Sequence, residues 1–349
     1  MKLDVIMPKV KIKLSKYTQV YTPCKDCSFS VVTQDLVKYY NKYIAKDDES
    51  KKLEVTYRPS PDVAIVISDM WSTFSYYYAS LLPPDAVYWV DSAWLMSNIP
   101  PNKIVRDLTV VTTSAWNSQV MTMYGIPNYI VPRAVDDDVA DSVFEKVKQN
   151  PTDYKYDFIL VATVTKDGHK NEKLAYQVLR DLNVLTRTLK ICDREWCDIK
   201  AFTLSEEQLY DYMRQSKAII WLSESEGFGL PPTEAMAVGT PAIRFDSHYV
   251  EAPFTGKGHE HILQFKIPVY GFKPRVSPVA PGKYFPSPIF DYNDVIRAFK
   301  EALYYFDDND RDEIYEMRFM LHEYVKNNFY HSVVIDKLLK IDAVRVRLQ

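Results

Sequence analysis

The sequence predicts an α/β protein of two domains, each a parallel sheet wrapped in helices. Short β-rich apolar runs alternate with helical patterns along the chain, and strands separated by helices pair in parallel. At 349 residues the chain is longer than one hydrophobic core usually serves, which points to about two domains. The nine glycines are unevenly placed, with none before Gly125 and three between Gly227 and Gly239. A backbone loop open enough to approach a phosphate therefore belongs to the second half. An early dinucleotide fingerprint is excluded, because the first strand candidate, residues 3–7, runs into Pro8-Lys9-Val10-Lys11 without a glycine.

Taken in order, residues 9–14 alternate basic and apolar side chains, the period of a strand with one wet face; anionic lipid or an acidic acceptor is the functional alternative for it. Residues 29–44 carry Leu36, Tyr40 and Tyr43 at helical spacing, and 47–52 form a charged loop. Strands are expected at 53–57, 63–67 and 86–90, with a Tyr-rich helix over 71–82 between the last two. A strand at 108–112 leads to Ser114, which caps a helix ending at Gly125, and a short strand follows at 129–131. The run Asp136-Asp137-Asp138 reads as a solvated loop at a domain edge. Asn150-Pro151-Thr152-Asp153 has hinge composition, dividing residues 1–150 from 151–330.

The second domain opens with a buried strand at 157–162. A loop containing Lys166 and Lys170 feeds a helix with Leu174, Val178 and Leu182 on one face. Ser205 and Gln208 form a capping box ahead of Leu209, Tyr212 and Met213. Residues 268–288 are rich in proline and read as a rigid loop or small insertion. Helical patterns fill 293–330 around the acidic turn Asp307-Asp308-Asn309-Asp310, and 331–349 reads as a closing helix.

The stretch that organises the chain is 225–243, SEGFGLPPTEAMAVGTPAI. Apolar runs at 218–222 and 241–245 flank it as buried strands. Pro231 and Pro232 suit a first helical turn and Gly239 the position past its end, so the helix is expected over about 232–238. Gly227 and Gly229 lie in the turn feeding its N-terminus, where free N–H groups and the helix dipole favour an anion. Glu226 and Glu234 frame that turn, and carboxylates accept hydrogen bonds from vicinal hydroxyls. Acid, glycine-lined amides, acid is the order needed to hold sugar, diphosphate and ribose. An ordinary strand-to-helix turn with a solvated glutamate at each end has the same spacing.

The run from Glu226 to Ile243 resembles the donor-site signature of retaining GT-B glycosyltransferases of group 1, an E-x7-E motif in an EGFGLP…EAMA.G.P context. The resemblance implies a GT-B fold, two Rossmann-like domains facing each other across a cleft, with the 331–349 helix packing back on the first. It implies Glu226 on the sugar, Glu234 on the ribose, and Gly227, Phe228, Gly229, Leu230 and Thr233 along the donor. In the family the loop after the first strand of the donor domain supplies an Arg and a Lys. Lys170 matches the Lys, whereas Thr163 stands where the Arg is expected, with Lys166 as a substitute. The family's N-terminal His falls at Val90, and Asp91 is the nearest carboxylate able to contact sugar or acceptor. The segment Val131-Pro132-Arg133-Ala134-Val135-Asp136 is similar to the family's closing turn but departs from it at Arg133-Ala134. The D-x-D pattern at 136–138, a metal-bound diphosphate site in another glycosyltransferase class, is set aside. The expected activity is metal-independent hexosyl transfer with retention, from a nucleotide sugar to an unidentified glycan, protein or lipid, without a cofactor. A non-catalytic nucleotide-sugar or carbohydrate-binding protein on a degenerate GT-B fold is the competing class.

Composition agrees with a globular enzyme: 47% hydrophobic, 26% charged, net charge −3. Nothing in it pulls towards nucleic acid or a membrane, and no stretch is apolar enough to span a bilayer. The expected location is cytoplasmic. The Gly-poor, Tyr-, Lys- and Val-rich make-up resembles glycosyltransferases encoded by viruses of hot-acid archaea, which would place it in the host cell. Cys24/Cys27 and Cys192/Cys197 match no zinc spacing and read as buried thiols, or as local disulfides if the source is a hyperthermophile.

Overall fold

The computed structural model describes residues 18–25, 27–69, 86–91, 95–96, 108–162, 168–254, 256–276 and 283–348. The strands expected at 3–7 and 9–14, the helix expected at 71–82, and Thr163 and Lys166 lie outside them.

The first sheet contains β1 (Gln19–Tyr21), β2 (Glu54–Thr56), β3 (Val63–Asp69) and β4 (Val87–Asp91). After β5 (Leu95–Met96), which belongs elsewhere, it continues with β6 (Thr109–Thr112) and β7 (Asn128–Ile130). Its order is β2-β1-β3-β4-β6-β7, all parallel. Both faces are buried, and the period of two sorts them: Val87 and Trp89 of β4 pack on one face, Tyr88 and Val90 on the other. Helix α1 (Ser28–Tyr40) covers the first face with Val32 and Leu36, and α2 (Ala115–Met123) the second with Trp116, Val120 and Met121. Ser114 caps α2 as expected, its hydroxyl accepting from the Asn117 N–H. The helix expected to reach residue 44 instead loosens into a π turn at Asn41–Ala45, where the Asn41 side chain pairs with the backbone of Leu53.

Helix α3 (Asp137–Gln149) leads to the second sheet, which comprises β8 (Tyr156–Ala162), β9 (Thr188–Cys192), β10 (Ser216–Trp221), β11 (Ala242–Phe245) and β12 (Gln264–Ile267). The order is β12-β11-β10-β8-β9, again all parallel. Helices α4 (Glu172–Asp181), α5 (Glu206–Arg214) and α6 (Leu230–Ala237) connect these strands. The capping box at Ser205/Gln208 is present. Although α3 precedes the hinge composition at 150–153, its Ala140 and Val143 belong to the core of the second sheet.

The Pro-rich segment is not a loop but a hairpin of β13 (Gly271–Val276) and β14 (Lys283–Ile289). It also pairs with β5, so a strand from the first half and a hairpin from the second share one antiparallel sheet. Proline is tolerated here because the small sheet has strands with an unpaired side. Helices α7 (Tyr292–Asp308) and α8 (Arg311–Phe329) finish the second layer, and α9 (His331–Leu339) and α10 (Asp342–Leu348) return to the first. Val334, Ile335, Leu338 and Val344 join the core beneath α1. Among the described residues no helix is long and apolar enough to cross a membrane.

The expectation from the charge pattern is corrected, and of the two readings of the cysteine pairs the structure shows the local disulfides. Asp136 and Asp137 are buried, not solvated. Asp136 caps α3 through the Val139 N–H and accepts from Lys38 Nζ and the Tyr39 hydroxyl, both at 2.5 Å. Asp137 accepts from the His331 N–H at 2.6 Å and the Tyr43 hydroxyl at 3.0 Å. The acidic run therefore ties α1 to the chain's crossings between the two layers. The four cysteines form disulfides, Cys24–Cys27 and Cys192–Cys197.

Candidate functional site

The carboxyl ends of β4 in the first sheet and β8 and β10 in the second converge on one cleft, the place where open α/β sheets bind ligands. A cavity of about 440 Å³ sits there. The first layer contributes Phe29, Asp91 and Arg133 to its wall, and the second contributes Lys170, Trp221, Glu226 and the turn through Leu230.

The turn is shaped by its glycines. Gly229 is the N-cap of α6 with φ +103°, a conformation L side chains rarely adopt, and the helix begins at Leu230, two residues earlier than expected. Gly227 brings the layers into close contact: a Cβ there would stand 2.6 Å from Asp91 Cβ. Its carbonyl accepts from Thr113 Oγ1 at 2.9 Å and Asn117 Nδ2 at 2.6 Å, so the start of α2 holds the turn against the first sheet. Gly239 closes α6 in the left-handed region, with no room for a side chain beside Arg318.

Lys170 and Glu226 form an ion pair facing the cavity, and Lys170 Nζ also lies 4.8 Å from the centre of the Trp221 ring. An ammonium has three donors, so one carboxylate leaves Lys170 able to hold an oxyanion as well. At the start of α6 the N–H groups of Gly229 and Leu230 are the backbone donors, since Pro231 and Pro232 have none, and they add to the same positive field. Glu234 lines the cavity one helical turn along α6. Burial, with Glu206 nearby, pushes its carboxyl up to about 8. At neutral pH Glu234 is thus a neutral acid that can both donate to and accept from a hydroxyl.

Of the expected site residues, Asp91, Lys170, Glu226, Gly227, Phe228, Gly229, Leu230 and Glu234 line this one cavity. Thr233 does not: it is buried, and its hydroxyl donates to the Gly229 carbonyl at 2.8 Å, a bond within the helix start. Glu251, after the turn, lies 3.8 Å from Arg244. His259 and His261 are exposed.

Sequence reasoning missed several cavity residues. Arg133 is buried and stacks on Trp89 at 4.6 Å. Phe202, 64% exposed with φ +60°, projects at the cavity edge near Leu204 and Ile191. A bulky side chain rarely takes that backbone conformation. The carboxylates of Asp35, Asp136 and Glu206 lie within 4.8 Å of one another across the two layers. Lys38 neutralises Asp136, and burial followed by repulsion from Glu206 and Asp136 raises Asp35 to about 8. Neither Arg133 nor Asp35 had a motif to announce it, because each matters through a neighbour distant in the chain.

The family model for glycosyl transferases group 1 matches residues 200–259, the stretch from α5 through the glycine turn. "Putative glycosyltransferase ORF378" of Acidianus filamentous virus 2 is 35% identical, with 97% of this chain and 98% of that protein aligned. Among solved structures, a glycosyltransferase from Rickettsia africae superposes with a TM-score of 0.59 at 15% identity, covering 96% of this chain and 99% of that one. Anabaena Alr3699/HepE in complex with UDP and glucose gives 0.57 at 10% identity, covering 93% and 98%.

Proposed function

The chain belongs to the group 1 glycosyltransferases, enzymes of the GT-B fold, and from that premise we propose that it moves a hexose from a nucleoside-diphosphate sugar to an acceptor hydroxyl, with retention and without a metal ion or cofactor. The observation that carries the reading is the convergence of the Lys170–Glu226 pair, the glycine turn and Glu234 on one cavity between the layers. The crystallised UDP and glucose complex of HepE supports a nucleotide sugar as its occupant.

The chemistry follows from the charges. As the acceptor oxygen attacks the anomeric carbon, the bond from that carbon to the diphosphate breaks, and negative charge grows on the departing group. Lys170 and the amides at the start of α6 stabilise that charge in place of water. Glu226 orients the sugar through its hydroxyls, and Glu234 holds the ribose. Attack on the face that the diphosphate leaves lets its oxygen take the acceptor proton, so the products are a glycoside of unchanged configuration and a free nucleoside diphosphate. Asp91, where β4 meets the turn, faces the sugar or the acceptor. The acceptor, on a glycan, protein or lipid, enters from the first layer, and the work is done in the cytoplasm of the host cell.

The test is a thermal-shift and hydrolysis screen of UDP-, GDP-, ADP- and TDP-sugars with and without chelator, on the wild type and on Glu234→Ala. One nucleotide sugar should stabilise the wild type and be hydrolysed slowly in chelator, with the stabilisation lost in the variant. The released sugar's anomeric configuration, read by NMR, reports retention or inversion. No stabilisation by any donor would sink the assignment.

A further inference from the structure

We propose that Arg133, reaching in from the first layer, is the second fixed cation of the donor's diphosphate site. The inference rests on the nucleotide-sugar reading above and adds a residue to it.

Arg133 is 1% exposed, yet it lines the cavity together with Lys170 and the glycine turn. Its guanidinium is held in place by stacking on the Trp89 ring, whose own N–H donates to the Val131 carbonyl at 3.0 Å. Held there, it is under-used. Nη1 has no hydrogen-bond partner among the described residues, and Nη2 makes only long contacts, 3.4 Å to the Trp89 carbonyl and 3.5 Å to Asp91 Oδ2. Charge-assisted bonds of this kind close to about 2.7–2.9 Å when they are made well. Burial pulls the guanidinium below its ordinary value, and Asp91 restores only part of the loss. A buried cation with an idle donor and one distant carboxylate is costly unless a ligand completes it.

Among the described residues the donor side has the complementary shortage. A diphosphate carries two or more negative charges, while Lys170 is shared with Glu226 and a threonine stands at 163, where the resemblance expects an arginine. A rigid, planar guanidinium suits phosphate oxygens better than a lysine would. Because Asp91 is packed against Gly227, Arg133 is also placed to couple diphosphate binding to closure of the layers.

The experiment measures calorimetric affinity of UDP, UDP-glucuronate and uridine, or the equivalents for whichever base the screen selects, on the wild type, Arg133→Lys and Arg133→Met. Methionine replaces a buried charge by an apolar chain of similar reach, and lysine keeps the charge should the methionine variant fail to fold. Arg133→Met should lose roughly 10- to 100-fold in UDP affinity with uridine unchanged, and Arg133→Lys should lose less. The steepness of UDP affinity with salt should fall in the methionine variant. Equal UDP affinity in all three proteins with a raised melting temperature for Arg133→Met would make the arginine structural and overturn the inference, leaving the donor reading intact. A loss confined to UDP-glucuronate would assign the guanidinium to an anionic sugar and likewise overturn it. A wild type that binds no nucleotide would bring down the donor reading and this inference together.

Discussion

Gly227→Ala puts one methyl group where the two layers touch. The new Cβ would stand 2.6 Å from Asp91 Cβ, 2.7 Å from Cγ and 3.1 Å from Oδ1. Asp91 Cβ belongs to a short stem at the end of β4, and the glycine carbonyl is held by Thr113 and Asn117, so neither side yields without loss. Overpacking of this kind costs about 1–3 kcal/mol, and one weakened buried hydrogen bond adds about 1. A total of about 2–4 kcal/mol corresponds to a fall of roughly 5–15 °C in melting temperature. Gly258→Ala is the control: it sits at φ +85° but has nothing within 4 Å of the added atom, so it feels backbone strain of about 1 kcal/mol alone. Scanning calorimetry on both variants, on Asp91→Gly and on Gly227→Ala/Asp91→Gly measures the coupling, since removing Asp91 Cβ removes the clash. Strict additivity of the two single changes, or a Gly227→Ala protein as stable as the wild type, would refute the close approach of the layers.

Three further outcomes are expected. Lys170→Met should reduce transfer by roughly 10²- to 10³-fold in kcat, the usual cost of removing one transition-state donor, and a wild-type rate would remove Lys170 from the leaving-group site. Phe202→Ala should raise the donor KM several-fold while leaving kcat and melting temperature nearly unchanged, the result expected if the exposed ring at the cavity edge stacks on the base; an unaltered KM would leave its strained backbone without that purpose. Asp35 and Glu234 are both raised to about 8, so between about pH 4 and pH 8 the folded state holds protons that the unfolded chain has released. Stability therefore falls as pH rises through that window; Asp35→Asn should flatten the dependence of melting temperature on pH, and a slope identical to the wild type would contradict it.

Much of the donor side was legible in the chain because its physics is local. Pro231, Pro232 and Gly239 mark a short helix, the flanking apolar runs mark buried strands, and glycines in the turn at the helix start leave the backbone open to approach. The helix began two residues early because Gly229, in the left-handed region, already serves as its cap. Thr233 was misplaced for a related reason: a hydroxyl four residues on from Gly229 satisfies the helix's own start before it can reach a ligand.

The residues that the sequence left unread are those whose role depends on a partner far along the chain. The triple Asp136-Asp137-Asp138 carries the same charges in either environment; only the arrival of Tyr39, Lys38 and His331 around it decides that two of the three are buried anchors. The Pro-rich 268–288 segment forms strands because β13 and β14 pair with each other, and β5, from the first half, adds to that sheet. By itself, then, the sequence determined the alternating α/β architecture and the glycine turn, since periodicity and backbone stereochemistry act over a few residues. Only the tertiary structure decided what faces that turn: it set Asp91 against Gly227, left the Arg133 guanidinium half-satisfied beside it, and raised Glu234 by burial, because exclusion of water and the meeting of distant charges exist only once the two layers close.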